Sequence, residues 1–173
     1  MTFIGHSLTG LAVAAAVLPR GMSRRRMVIG LAVFALLANI PDFRLPGWGH
    51  YKYHISHSIF VNGGLVAVAL LGLGVARMWK GLRIPKRVIV GGVVAWFSHF
   101  LLDSMYNHGH GIRIYWPVSS GSLAWPVPWF STLAHSPPPM NMHTFRVFAI
   151  ELACYLPLLG AVLLVRRALK PKG

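Results

Sequence analysis

Residues 59–78 read IFVNGGLVAVALLGLGVARM, and the first charge in the run comes only at Arg77. A helix needs about 20 predominantly apolar residues to cross a bilayer, so this stretch alone points to an integral membrane protein. The composition agrees. Of 173 residues, 55% are apolar and 12% charged, with 17 Lys+Arg against 3 Asp+Glu and a formal charge of +14. An ordinary soluble domain carries about a quarter charged residues, and a basic nucleic-acid-binding domain would be charge-rich as well. The apolar content excludes intrinsic disorder. A single cysteine, Cys154, excludes an intramolecular disulfide framework and a cysteine-built zinc site, and its place in an apolar run suggests a core position.

Outward from this run lie four more apolar stretches, 3–18, 27–40, 88–102 and 147–165. The last is long enough to span and the first is marginal. The stretches 27–40 and 88–102 need their polar flanks, 39–42 and 103–107, to complete a crossing. The expectation is an all-α membrane bundle of about five transmembrane helices. The cations test it. Four (Arg20, Arg24, Arg25, Arg26) follow the first stretch, two (Arg44, Lys52) the second, and five (Arg77, Lys80, Arg83, Lys86, Arg87) the third. Two (Arg113, Arg146) follow the fourth and four (Arg166, Arg167, Lys170, Lys172) the fifth. This alternation fits five crossings, and basic loops stay cytoplasmic, so the N-terminus is expected outside and the C-terminus inside. Short cationic clusters at membrane edges, with no aromatic stacking platform, read as topogenic and lipid-facing rather than as a nucleic-acid surface.

No repeat or linker divides the chain, which reads as one membrane-embedded domain, 1–173. The first stretch has no basic leader before Arg20 and contains His6, so it does not read as a cleavable signal. Segment 104–144 holds six of the 12 prolines and three of the 6 tryptophans. Tryptophan favours the headgroup level, so this segment reads as an extracytoplasmic interfacial loop.

The three carboxylates, Asp42, Asp103 and Glu151, all sit in or at the end of apolar stretches, where an acid is costly. On the expected topology His6, Asp42, His54, His57, His99, Asp103 and Glu151 fall on one side of the membrane. His99 and Asp103 are an i, i+4 pair on one helix face, and His54 and His57 share a face if helical. Asn39-Ile-Pro-Asp42 ends a helix on a proline. Singly these signals are ordinary: a hydrogen-bonded pair, a surface pair, an interfacial histidine. Together, imidazoles and carboxylates are a ligand set for zinc, manganese or iron, and a cation would neutralise the buried acids. His50, His108, His110, His135 and His143 read as solvated loop residues.

The series His6-x-x-x-Gly10, Asn39-Ile-Pro-Asp42, His54-Ile-Ser-His57-Ser58, His99-Phe-Leu-Leu-Asp103 and Gly111-Ile-Arg-Ile-Tyr-Trp-Pro117 resembles the YdjM-like family, from His6 to about Ser119. That family is grouped as LexA-regulated inner-membrane, metal-dependent hydrolases. More distantly the order His6, Asp42, His57, His99, Asp103 is similar to the zinc-dependent phospholipase C and P1 nuclease group, helical enzymes that cleave phosphate esters. The chain departs from that group at its third-zinc motif, because Val147 stands four residues before Glu151.

The resemblance implies a membrane-bound hydrolase acting on a phosphate ester of a lipid or lipid-linked substrate. One or two divalent ions, zinc by preference, would be held by His6, Asp42, His57, His99 and Asp103, with His54 as a further candidate. Asp42 or Asp103 would orient the attacking water as general base. Arg113, by its planar fork, and more weakly Lys52 are candidates for the substrate phosphate, with lipid headgroups as the alternative. The rival readings are a non-catalytic membrane metal-binding protein and a metal or proton transporter. Membrane lipids are the expected partners, and no nucleic acid.

Overall fold

The computed structural model describes residues 1–49, 52–81, 83–106, 111–127, 129–130 and 140–169. It is helical, and among the described residues there is no strand, only two isolated bridges. The elements are α1 (Phe3–Val17), α2 (Arg24–Asn39), a 3-10 turn (Ile40–Asp42), α3 (Tyr53–Ser56), α4 (Ile59–Lys80), α5 (Lys86–Ser104) and α6 (Met142–Ala168). Helices α4, α5 and α6 are long and apolar enough to cross a membrane, and α1 is apolar but shorter.

Several helices start earlier than their apolar runs. Ser23 caps α2 by accepting from Arg26 N, so three arginines form its first turn. Asn141 caps α6 by accepting from Thr144 N, so the helix starts at Met142, five residues before the apolar run begins. Side-chain oxygens at these positions satisfy N–H groups that have no partner inside the helix, and such a cap outweighs hydropathy in setting the boundary.

Helix α1 is the centre of the bundle, packed against α2, α5 and α6. Helices α1 and α6 run in the same direction: Glu151 meets Thr2 and Gly5 at one end, and Arg166 meets Ala15 and Pro19 at the other. Helices α2 and α5 run against them, with Asn39 at Ser7 and Asp103 at His6. Ala14, Leu18, Phe34 and Ala95 form the core of this packing.

A glycine sets the α1–α2 distance. A Cβ on Gly10 would lie 2.5 Å from the Phe34 carbonyl oxygen and 3.1 Å from the Cα of Ala35. These are backbone atoms, so α2 would have to move as a unit. Gly10→Ala is expected to destabilise the protein by about 1–3 kcal/mol, the usual range for overpacking, read as a lower melting temperature in detergent. Gly72→Ala should leave the melting temperature unchanged or slightly raised, since nothing lies within 4 Å of a Cβ there and alanine is the better helix former. The same is true of Gly63, Gly64 and Gly74. Small residues in an apolar run allow close helix packing, but among the described residues no helix approaches within 4 Å of a Cβ at any of these four α4 glycines.

Residues 111–127 fold back onto the helix ends. Ile112 and Leu123 exchange backbone hydrogen bonds of 2.9 and 2.8 Å. Ile59 N donates to Ile114 O at 2.9 Å, and the Trp125 indole donates to Ser104 Oγ at 3.0 Å. Ile112 and Ile114 are buried with Trp96 and Phe100. This part of the 104–144 segment thus contributes core side chains, while Trp129 and Val127 stay exposed. His108, His110 and His135 of that segment, and His50, lie outside the described residues. His143 is exposed in the first turn of α6 rather than in a loop, and Cys154 is exposed on the face of α6 rather than in the core.

Candidate metal centre

Four separate pieces of chain supply the cluster. His6 lies one turn into α1. Asp42 ends the 3-10 turn Ile40–Asp42 after α2, and Pro41 fits in its first positions because proline has no N–H to lose there. His99 and Asp103 share a face of α5. His57 occupies the break between α3 and α4.

That break is held by buried polar groups. Ser58 caps α4, accepting from Val61 N. Asn62 Nδ2 donates to the carbonyls of Ser56 and Ser58, at 2.8 Å each, and Asn62 Oδ1 accepts from the Trp96 indole at 2.8 Å. The Tyr53 ring stacks on His57 with centroids 3.7 Å apart. On the other side, Gly49 is left-handed at φ 59°, and a Cβ on it would clash with the Phe43 carbonyl. This turn carries the chain back from Asp42 toward His57.

The histidine tautomers follow from their outer partners. His99 Nδ1 is 2.9 Å from the Ala38 carbonyl, and His57 Nδ1 is 3.2 Å from the Tyr53 carbonyl and 2.9 Å from Ser56 Oγ. A carbonyl only accepts, so in each neutral ring Nδ1 carries the hydrogen and Nε2 presents a lone pair. The two Nε2 atoms stand 3.2 Å apart. Lone pairs at that distance repel unless a positive charge lies between them.

The carboxylates complete the figure. His57 Nε2 is 3.4 Å from both Asp42 Oδ1 and Asp103 Oδ2. His99 Nε2 is 3.7 Å from Asp42 Oδ1 and 3.4 Å from Asp103 Oδ2. Donor atoms 2.0–2.1 Å from a tetrahedral zinc lie about 3.3–3.4 Å from one another. Three of the five distances among these four atoms match that spacing, and the other two, 3.2 and 3.7 Å, lie close to it. The remaining carboxylate oxygens face His6: its Nε2 is 3.2 Å from Asp103 Oδ1 and 4.0 Å from Asp42 Oδ2. The His6 ring is fully buried, stacks on His99 at 3.8 Å, and makes no well-aligned hydrogen bond at either nitrogen. The Met1 ammonium also reaches Asp103 Oδ1, at 2.8 Å. One ligand atom each from His6, Asp42, His99 and Asp103 fall within 4.8 Å of one another, and this His/Asp cluster can bind a metal.

The electrostatics favour positive charge at its centre. Burial pushes the Asp42 carboxyl up, but the imidazoles of His99 and His57 outweigh this and hold it below the usual carboxylate range. Burial opposes charge on His57, yet hydrogen bonds to Asp103 and Asp42 overcome it and raise this imidazole above its ordinary value. The same negative charge would attract a metal cation, which would compete with that proton for Nε2.

The whole described cluster falls within one family match: the family model for the YdjM inner membrane protein matches residues 1–168. The chain belongs to the YdjM family. This YdjM protein, with three helices apolar and long enough to span, is therefore a multi-pass protein of the inner membrane. The match runs through α6 and so extends well past the motif resemblance that ends near Ser119. No curated protein and no solved structure matches the chain.

Three sequence candidates stand apart from the cluster. His54 turns its ring edge to Trp116, with centroids 5.3 Å apart. Its i, i+3 spacing to His57 does not give a shared helical face, because α3 ends at Ser56 and His57 is already its C-cap with φ −103°. Lys52 and Arg113 are exposed, and neither contacts the cluster among the described residues.

Glu151 is a structural carboxylate. It is buried, accepts Thr2 N at 2.8 Å and Gly5 N at 3.2 Å, and is hydrogen-bonded by the Thr2 hydroxyl. These donors belong to the start of α1, where N–H groups lack helical partners and the helix dipole favours an anion. Glu151 thus caps α1 from another helix and positions His6, one residue beyond Gly5. Asn62 and Tyr53 escaped the sequence reading. Asn62 had a signal: it is the one polar side chain in residues 59–76, and a lone amide in an apolar run must find partners.

Proposed function

We propose that this YdjM protein is a membrane-bound, metal-dependent hydrolase of a phosphate ester on a lipid or lipid-linked substrate. The bundle crosses the membrane five times, with the N-terminus and the cluster at the extracytoplasmic end and the C-terminus in the cytoplasm. The alternating charge of the loops and the alternating directions of α1, α2, α4, α5 and α6 support this topology.

The observation that carries the reading is the near-tetrahedral set of His57, His99, Asp42 and Asp103 donor atoms, 3.2–3.7 Å apart. Zinc suits this nitrogen and oxygen set. Each aspartate has its second oxygen on the His6 side, at 3.2 Å for Asp103 and 4.0 Å for Asp42, so these three residues would be the ones to hold a second ion. A divalent ion supplies charge for phosphate oxygens and lowers the pKa of a bound water. Asp42 is placed to orient water: its side chain is 17% exposed, against 0–2% for the His6, His57, His99 and Asp103 side chains. It also borders a cavity of about 470 Å³ between α1 and α2, walled by Phe3, Ala32, Leu36 and Phe43. An apolar cleft ending on one carboxylate suits the chain of a lipid-linked substrate. A purely structural metal site would have no use for such an opening. Lys52 and Arg113, exposed at the same end, remain candidates for the phosphate.

The test is hydrolysis of phosphatidic acid in mixed micelles and of p-nitrophenyl phosphate by purified protein. Phosphate release should stop with a zinc chelator and return when zinc is restored. Metal binding without phosphate release from either ester would contradict the hydrolase and leave the metal-binding alternative.

A further inference from the structure

The opposite end of the bundle has a different chemistry. Helices α1 and α6 finish there and α5 begins, and a cavity of about 370 Å³ lies between them, lined by Ala16, Leu18, Pro19, Arg20, Arg87 and Arg166. Arg87 precedes His99 by twelve residues of α5, so the cavity is roughly 18 Å from the cluster at 1.5 Å per residue.

Two of the three guanidiniums are fixed. Arg166 donates to the carbonyls of Ala15 and Pro19, and Arg20 donates to those of Arg166 at 2.7 Å and Leu169 at 3.2 Å. These carbonyls belong to the C-terminal ends of α1 and α6, where backbone acceptors are left without helical partners. Each guanidinium carries five donors, so donors remain to face the cavity. Arg87 donates no hydrogen bond to the protein among the described residues. A topogenic arginine needs only to lie in a cytoplasmic loop with its head in water. Arg20 and Arg87 are exposed, but Arg166 is half-buried and braced on two carbonyls.

Among the described residues no acid balances this charge. The chain's three carboxylates, Asp42, Asp103 and Glu151, are all at the far end. Three cations converging on one cavity repel one another unless an anion joins them. Guanidinium forks match phosphate oxygens in bidentate geometry, and the apolar wall of Ala16, Leu18 and Pro19 would face the carbon attached to a phosphodiester. We propose that Arg20, Arg87 and Arg166 form a phosphate-binding site, filled by the headgroup of an anionic phospholipid or by free phosphate. It is independent of the metal centre and of the hydrolase reading. On the proposed topology this end faces the cytoplasmic leaflet.

Native mass spectrometry of the full chain tests this, with phosphatidylglycerol against phosphatidylcholine in one arm and inorganic phosphate in lipid-free detergent in another. Arg87→Gln is the diagnostic variant, because no hydrogen bond among the described residues depends on its side chain. Arg25→Gln, an exposed arginine of α2, is the matched change of charge. The wild type should retain phosphatidylglycerol over phosphatidylcholine, and Arg87→Gln should bind it about tenfold or more weakly, as the loss of a charge-assisted hydrogen bond implies. Arg25→Gln should bind like wild type. The same pattern with inorganic phosphate alone would support the site and identify free phosphate as a sufficient ligand. Equal binding by all three proteins, equal weakening by both variants, or no retention of either ligand would overturn the proposal.

Discussion

Asp103→Ala is expected to lose its bound metal while still inserting into the membrane and keeping its helical content. Asp103 is the residue whose two oxygens face different partners: Oδ2 faces His57 and His99, and Oδ1 faces His6. Removing it opens every part of the cluster at once. Even a supporting group around a metal site typically changes affinity 10–100-fold, so removing a direct ligand should exceed about 100-fold. His99→Ala should behave similarly. Elemental analysis after gel filtration reads the result, and His54→Ala, whose ring lies on Trp116, should keep wild-type metal. Full occupancy in Asp103→Ala and His99→Ala would defeat the assignment.

Glu151→Ala is expected to give the largest loss of stability. Three donors at the start of α1 would lose their acceptor in a buried setting: Thr2 N, the Thr2 hydroxyl and Gly5 N. A buried unsatisfied donor costs about 1–3 kcal/mol, so the total should be about 3 kcal/mol or more. Thermal unfolding in detergent should show it, together with faster proteolysis at the start of α1. Metal binding should weaken too, because His6 depends on the same turn. Glu151→Gln keeps one acceptor oxygen and should fall between Glu151→Ala and wild type. An unchanged melting temperature in Glu151→Ala would refute the capping role.

These two carboxylates show what a sequence can and cannot disclose. Asp103 was legible because its partner His99 is four residues away on the same helix, and helical geometry alone puts them on one face. The gathering of His6, Asp42 and His57 beside them was legible at coarser grain, from an alternation of charged loops that sends these positions to one end. Glu151 was legible only as an expensive acid. Its work depends on a contact with Thr2 across 149 residues, which no local spacing reports. Its depth also differs from what the apolar run 147–165 suggests. The apolar run puts it about one turn into its helix, but the Asn141 cap starts α6 at Met142, and Glu151 lies about two and a half turns in. His54 was over-read for a related reason. The i, i+3 argument holds inside a helix, and this helix ends between the two histidines. The cavity of arginines was hidden for the opposite reason, since topogenic charge alone accounts for its residues until three elements are seen to meet.

The central claim is that side chains from four distant segments enclose a divalent cation. Anomalous diffraction at the zinc absorption edge, from crystals grown with zinc, tests it most directly. The account predicts a peak bounded by His57 Nε2, His99 Nε2 and the carboxylates of Asp42 and Asp103. Zinc density confined to histidines outside the cluster such as His54 or His143, with none among those four side chains, would contradict it.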